Sequence, residues 1–129
     1  MSFTLQPSVR GRHLLVDFFG VSPAKLRNRR QLMRVLSKSL SDAGFHVLRR
    51  TGSHQFEGGG RGVTGFVLLS ESHAAFHSYP ECGYLALDIY SCGKPDPAPI
   101  AWAIEQYLKP SKVRRTFQRR GGKSRIVSK

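Results

Sequence analysis

Between residues 63 and 90 the chain carries three strand-like segments back to back, joined by connections too short for anything but antiparallel pairing. Val63-Thr64-Gly65-Phe66-Val67-Leu68-Leu69 comes first, residues 72–79 follow, and Gly83-Tyr84-Leu85-Ala86-Leu87-Asp88-Ile89-Tyr90 closes the series. Only Ser70-Glu71 and Pro80-Glu81-Cys82 separate them. The first segment is apolar at both alternating positions, which predicts cover on both faces. In the third, Leu85, Leu87 and Ile89 share one face, while Tyr84, Ala86, Asp88, Tyr90 and then Cys92 share the other. That mixed face is the place for chemistry or an interface.

The flanking segments supply the rest of a small sheet and its cover. Residues 13–19, His-Leu-Leu-Val-Asp-Phe-Phe, form a β-branched and aromatic run that stops at Gly20. Ser22-Pro23 then opens one long helix, with Leu26, Met33, Leu36 and Leu40 at helical spacing and Gly44 just past its end. Residues 45–49 alternate and predict a second strand, and residues 51–62 a loop. The loop's Gly58-Gly59-Gly60-Arg61-Gly62 is followed by a strand, not a helix, so it lacks the context of a phosphate-binding loop and reads as a mobile flap. Pro95-Asp96-Pro97 opens a second helix that Pro110 closes, and residues 112–118 suit a final edge strand. Residues 1–10 read as a loose lead-in. The expected fold is therefore α+β: a two-layer sandwich of one mostly antiparallel sheet with two helices on one face. A single domain spans residues 1–120, and residues 121–129 form a disordered basic tail.

Net charge is +13, with 21 Lys+Arg against 8 Asp+Glu, which invites a nucleic-acid partner. The distribution argues against it. Nine bases lie in residues 109–129 with no acid among them, and six more lie on the first helix between Lys25 and Lys38. Elsewhere the chain is near balance. Aromatics are sparse in the tail, where Phe117 stands alone, so a solvated tail is favoured over a specific nucleic-acid site. Neither a signal peptide nor a membrane span is expected, and two cysteines predict free thiols in the cytoplasm. A Cys82–Cys92 bridge would have to span a whole strand.

Ser72, His77, Glu81 and Cys92 bring a hydroxyl, an imidazole, a carboxylate and a thiol into one short antiparallel region. Alone, Ser72 reads as a turn serine, His77 as a strand histidine and Cys92 as a small buried residue. His73 and His77 lie too far apart along one strand to share an ion, so no metal is expected. Asp17 and Asp88 read as hydrogen-bonding partners within the sheet.

In order along the chain, Gly11-Arg12-His13-Leu14, Gly62-Val63-Thr64-Gly65, Ser70-Glu71-Ser72-His73, His77-Ser78-Tyr79-Pro80-Glu81, Gly83-Tyr84, Asp88 and Ser91-Cys92-Gly93 form a pattern. It resembles the bacterial and archaeal S-adenosylmethionine decarboxylase proenzymes, a pyruvoyl-dependent family, between residues 11 and 110. The resemblance implies self-cleavage between Glu71 and Ser72, giving chains 1–71 and 72–129 and turning Ser72 into a pyruvoyl cofactor. It implies that Thr64 and His77 serve that processing, with His77 as the base. Cys92 would then protonate the substrate, Glu81 hold ribose hydroxyls and Phe56 stack on adenine. It also implies a homodimer with sites between subunits, which agrees with a strand predicted to be covered twice. Ser78-Tyr79 stands where the family usually has Thr-Trp, and residues 58–61 replace a stretch that frames the nucleoside. S-adenosylmethionine is thus the expected substrate, with arginine or ornithine as the first alternative. A non-catalytic nucleic-acid-binding module is the second.

Overall fold

In a computed structural model that describes residues 10–122, six strands make one sheet in which every pairing is antiparallel. They are β1 (Arg10–Phe19), β2 (Val47–Gln55), β3 (Val63–Leu69), β4 (Ser72–Tyr79), β5 (Tyr84–Ser91) and β6 (Lys112–Gly121). The sheet order is β2-β3-β4-β5-β1-β6. The meander expected from the short connections occupies β2 to β5. β1 lies beside β5, and β6 closes the far edge against β1.

Three helices cover one face: α1 (Pro23–Leu26), α2 (Arg29–Asp42) and α3 (Ala98–Leu108). The single long helix expected from Ser22 to Gly44 is thus two. Asn28 causes the break, because its side chain accepts from the Gln31 N–H at 3.2 Å and so caps a new helix. Gly44, at φ +92°, ends α2 as expected: its N–H reaches the Ser41 carbonyl and the Phe45 N–H reaches that of Leu40, the double bond of a Schellman turn.

Leu32, Leu36 and Leu40 of α2 and Ile100, Ile104 and Leu108 of α3 are buried against Val16 and Phe18 of β1, Val67 of β3, Phe76 of β4 and Leu87 and Ile89 of β5. Truncating a wholly buried side chain such as Leu36 to alanine removes about 2–5 kcal/mol. Among the described residues no layer covers the opposite face of the sheet, and Leu15 and Phe66 there are 38 % and 47 % exposed. The second cover expected for β3 is therefore not supplied by the described residues.

Strand boundaries moved: β1 begins at Arg10, not His13, and β2 at Val47, not Phe45. β2 runs to Gln55, into the stretch expected to be loop, because residues 51–55 pair with β3. β6 runs to Gly121 because each of its residues finds a partner in β1. The remainder of the expected basic tail, residues 123–129, lies outside the described residues; of the expected lead-in, residues 1–10, Arg10 opens β1 and the rest lies outside the described residues.

Candidate active site

A two-residue turn joins β3 to β4, with Leu69 opposite Ser72 and Ser70 and Glu71 at the tip. Glu71 adopts φ +60°, the left-handed region that a residue with a Cβ enters at a cost. The Glu71–Ser72 peptide thus sits at the most sharply turned point of the hairpin. Cys92, one residue past β5, faces it. The Cys92 N–H donates to Ser72 Oγ at 3.2 Å, and the Cys92 thiol donates to the Glu71 carbonyl. Ser72 Oγ lies 3.9 Å from Cys92 Sγ. Hydroxyl, carbonyl and thiol therefore converge.

Arg12 fixes the loop that carries Cys92. Its Nη2 donates to the carbonyls of Gly93, Lys94 and Pro95 at 3.1, 2.8 and 2.9 Å, and Ser91 Oγ donates to the Pro95 carbonyl at 2.8 Å. One guanidinium bonded to three carbonyls leaves little freedom at residues 93–95.

A second cluster lies at the other end of β3 and β4. Thr64 stands opposite His77, and Thr64 Oγ1 and His77 Nδ1 share a hydrogen bond of 2.9 Å. The pair lines a cavity of about 560 Å³ together with Phe56, Tyr79 and Glu81. Gly60 and Gly62 make this wall possible: a Cβ on Gly60 would come within 2.1 Å of Glu81 Oε2, and one on Gly62 within 2.4 Å of the Ser78 carbonyl. Within the run expected to be a mobile flap, Gly60 and Gly62 are thus packed against the site, whereas Gly58 and Gly59 face open space.

The sequence suggested one constellation, and a single chain makes two. His77 follows Ser72 by five residues with no turn between them, so at ~3.3 Å per residue they stand roughly 16 Å apart along β4. Ser72, Glu71 and Cys92 meet at one end; Thr64, His77, Phe56 and Glu81 gather at the other.

The uncovered face between them is polar and paired. Arg120 Nη1 lies 3.2 Å from His13 Nδ1, and His13 Nε2 meets Asp88 Oδ1. Arginine cannot accept, so the His13 proton sits on Nε2 and points at Asp88. His13, His73 and Asp88 also bring one ligand atom each within 4.8 Å of one another. Both nitrogens of His13 are already used in the chain from Arg120 to Asp88, so an ion would have to break that chain to bind. Asp17 accepts from Tyr84 Oη and, at 2.8 Å, from Arg114. The Tyr84 hydrogen bond, helped by Arg114 and opposed by partial burial, holds Asp17 below its ordinary 3.8. Burial, followed by the same hydrogen bond, pushes Tyr84 up to about 12.

Sequence reasoning missed Ser78, which is buried: its Oγ accepts from the Val63 N–H at 2.8 Å and donates to the Leu26 carbonyl at 2.7 Å, pinning β3 and β4 to α1. The signal was parity along β4, where Ala74, Phe76 and Ser78 share the core face. It also missed Tyr79, whose ring stacks on Tyr84 at 5.6 Å, continued by Tyr84 on Phe19 at 5.4 Å. Cys82 and Cys92 are both free. Among the described residues no helix is long and apolar enough to cross a membrane.

Known proteins are similar to this chain in sequence and in fold. A proenzyme named S-adenosylmethionine decarboxylase from Caldicellulosiruptor saccharolyticus is 36 % identical over 112 residues, covering 86 % of this chain and 88 % of its own. Its namesake from Acetivibrio thermocellus is 40 % identical over 84 residues, 65 % of each chain. That of Thermoplasma acidophilum is 32 % identical over 104 residues, covering 80 % of this chain and 77 % of its own. A crystal structure of the adenosylmethionine decarboxylase from Aquifex aeolicus VF5 superposes with a TM-score of 0.80 at 27 % identity, over 95 % of this chain and 100 % of that one. The family model described as S-adenosylmethionine decarboxylase matches residues 12–121, and the chain belongs to that family.

Proposed function

We propose that this protein is a self-processing, pyruvoyl-dependent decarboxylase of S-adenosylmethionine that works as a homodimer in the cytoplasm. Each reaction site combines Ser72 and Cys92 of one copy with Phe56, Thr64, His77 and Glu81 of a second. One observation carries the reading: residues that one reaction requires stand roughly 16 Å apart along β4, at opposite ends of a sheet that the described helices cover on one face alone. Two copies of the other face, packed about 10 Å apart across a two-fold axis, bring opposite strand ends together and cover β3 on its second side.

The turn fits the pyruvoyl. Ser72 Oγ attacks the Glu71 carbonyl carbon, and the Glu71–Ser72 C–N bond breaks as the ester forms. The left-handed Glu71 strains that peptide, and the Cys92 thiol sits where the carbonyl oxygen gains charge. His77 from the second copy then takes the Ser72 α-proton, and the Glu71 carboxylate leaves from the β-carbon. Water displaces ammonia from the resulting dehydroalanine and leaves the keto group at residue 72. That group, once formed, holds the substrate amine and accepts the electron pair released with carbon dioxide. Cys92, already in reach of position 72, delivers a proton to the decarboxylated carbon. Phe56 offers a ring to a purine, and Glu81 offers carboxylate oxygens to hydroxyl groups in the same cavity.

The relatives' names support S-adenosylmethionine over arginine or ornithine, and over a module without chemistry. Mass spectrometry of the purified protein, with carbon dioxide release from all three candidates, tests the reading. Fragments 1–71 and 72–129, the latter blocked at residue 72, with release from S-adenosylmethionine alone, are expected. An uncleaved chain, or release only from an amino acid, would overturn it.

A further inference from the structure

The helix layer does not reach the end of the sheet where β1 begins and β6 ends. On the helix side of β6, Val113 is partly covered and Arg115 is paired with Glu105 of α3. Phe117 and Arg119 continue the same side beyond α3, and Phe117 is 52 % exposed. Beneath them lies a cavity of about 700 Å³, larger than the one at His77, lined by Arg10, Arg12, Phe117, Arg119, Arg120 and backbone at Gly93 and residues 121–122.

Its charge is one-sided. No acid occurs before Asp17 or after Glu105, and those two carboxylates are already bonded to Arg114 and Arg115. Arg12 is occupied by the loop carbonyls and Arg120 by His13. Among the described residues, Arg10 and Arg119 make no ion pair. Lys123 and Arg125 follow within three residues of Gly122 in the sequence. A charged edge strand discourages sheet-to-sheet pairing, and charge alone would satisfy that need. It does not require an exposed aromatic ring set over a cavity between guanidinium groups. Cations spaced along a groove with a flat ring beside them are what a flexible phosphodiester strand and its bases require.

We propose that this cavity binds single-stranded nucleic acid, with backbone phosphates on Arg10 and Arg119 and one base against Phe117. Arg10, Phe117 and Arg119 lie on the helix side of the sheet, and Arg12 and Gly93 join the cavity to the loop that carries Cys92.

Fluorescence anisotropy of a labelled oligouridylate with the purified, self-cleaved protein tests this. Saturable binding is expected that weakens steeply from about 50 to about 200 mM salt. Phe117→Ala is expected to weaken it roughly tenfold with the salt slope unchanged. Arg10→Ala with Arg119→Ala is expected to weaken it and lower the slope by about 1.4, from about 0.7 per phosphate contact. The control pair Lys25→Ala and Lys38→Ala, on the helix layer, removes the same charge and is expected to change binding less than the arginine pair. Each variant is first shown to self-cleave and to melt as wild type does. No binding at low salt, indifference to Phe117→Ala, or equal weakening by the control pair would overturn the proposal. So would complete competition by equimolar uridine monophosphate, which would indicate a mononucleotide site.

Discussion

The Cys92 backbone N–H donates to Ser72 Oγ at 3.2 Å, tying the end of β5 to the first residue of β4 beside the Ser70-Glu71 turn. Because the same residue's thiol reaches the Glu71 carbonyl, Cys92 touches both the proposed nucleophile and the carbonyl proposed for its attack. Cys92→Ala keeps the backbone donor and removes the side-chain one. Self-cleavage is expected to slow on the order of tenfold to a hundredfold, less than for a full oxyanion-site donor because a thiol donates weakly. Decarboxylation by the cleaved variant is expected to fall further, by about 10²-fold or more, with the proton donor gone. Gel-resolved cleavage kinetics and carbon dioxide release separate the two effects; equal rates of cleavage with and without the thiol would remove Cys92 from processing.

Separation of Ser72 from His77 along β4 makes the dimer testable without a structure of it. Ser72→Ala and His77→Ala are each expected to be inactive alone. Co-expressed, random pairing yields mixed dimers in which one site has Ser72 from one chain and His77 from the other, so about a quarter of wild-type activity returns. Absence of any recovery in dimers shown to be mixed would place both residues in one chain's site.

Tyr84 and Asp17 predict opposite ends of the pH range. A tyrosine raised to about 12 from 10.0 favours the folded state below pH 10.0 and loses that contribution as pH rises through about 12. An aspartate held below 3.8 contributes above pH 3.8, and the contribution disappears as pH falls through its lower folded value. Asp17→Asn is therefore expected to flatten the acid limb of stability and to move the Tyr84 phenolate transition back towards 10.0. Denaturant melts across acid pH and near-ultraviolet titration against a Tyr84→Phe blank check both. A Tyr84 transition unchanged by Asp17→Asn would show burial acting alone.

Ser78→Ala leaves the Val63 N–H and the Leu26 carbonyl without their buried partner. A loss of roughly 2–5 kcal/mol is expected in urea melts, and Ser78→Thr, which restores a hydroxyl in the same place, is expected to recover part of it.

Gly60→Ala would press a methyl group to 2.9 Å from the Glu81 backbone N as well as against its carboxylate. The side chain can swing away and the backbone cannot. KM for S-adenosylmethionine is expected to rise several-fold while self-cleavage is unchanged, since Gly60 lies in the cavity wall and not at the turn. A slowed cleavage with normal KM would assign the glycine loop to maturation instead.

The amino-acid sequence by itself determined the sheet and the short turn at Ser70-Glu71. Three strand-like segments within residues 63–90, two connections too short to cross over and the apolar stripe of α2 leave an antiparallel sheet with helices on one side as the economical solution. Such information is local, so it survives in one dimension. It overreached where one residue decides, as at Asn28, whose side chain ends one helix and starts another. Only the tertiary structure decided which of the named residues meet. Ser72 and His77 are neighbours in sequence and distant in space because a strand extends about 3.3 Å per residue, whereas Ser72 and Cys92 are twenty positions apart and in contact because β4 and β5 pair antiparallel. Pairing register is a property of the folded sheet, and it sets the residues of the proposed site at two ends of β4.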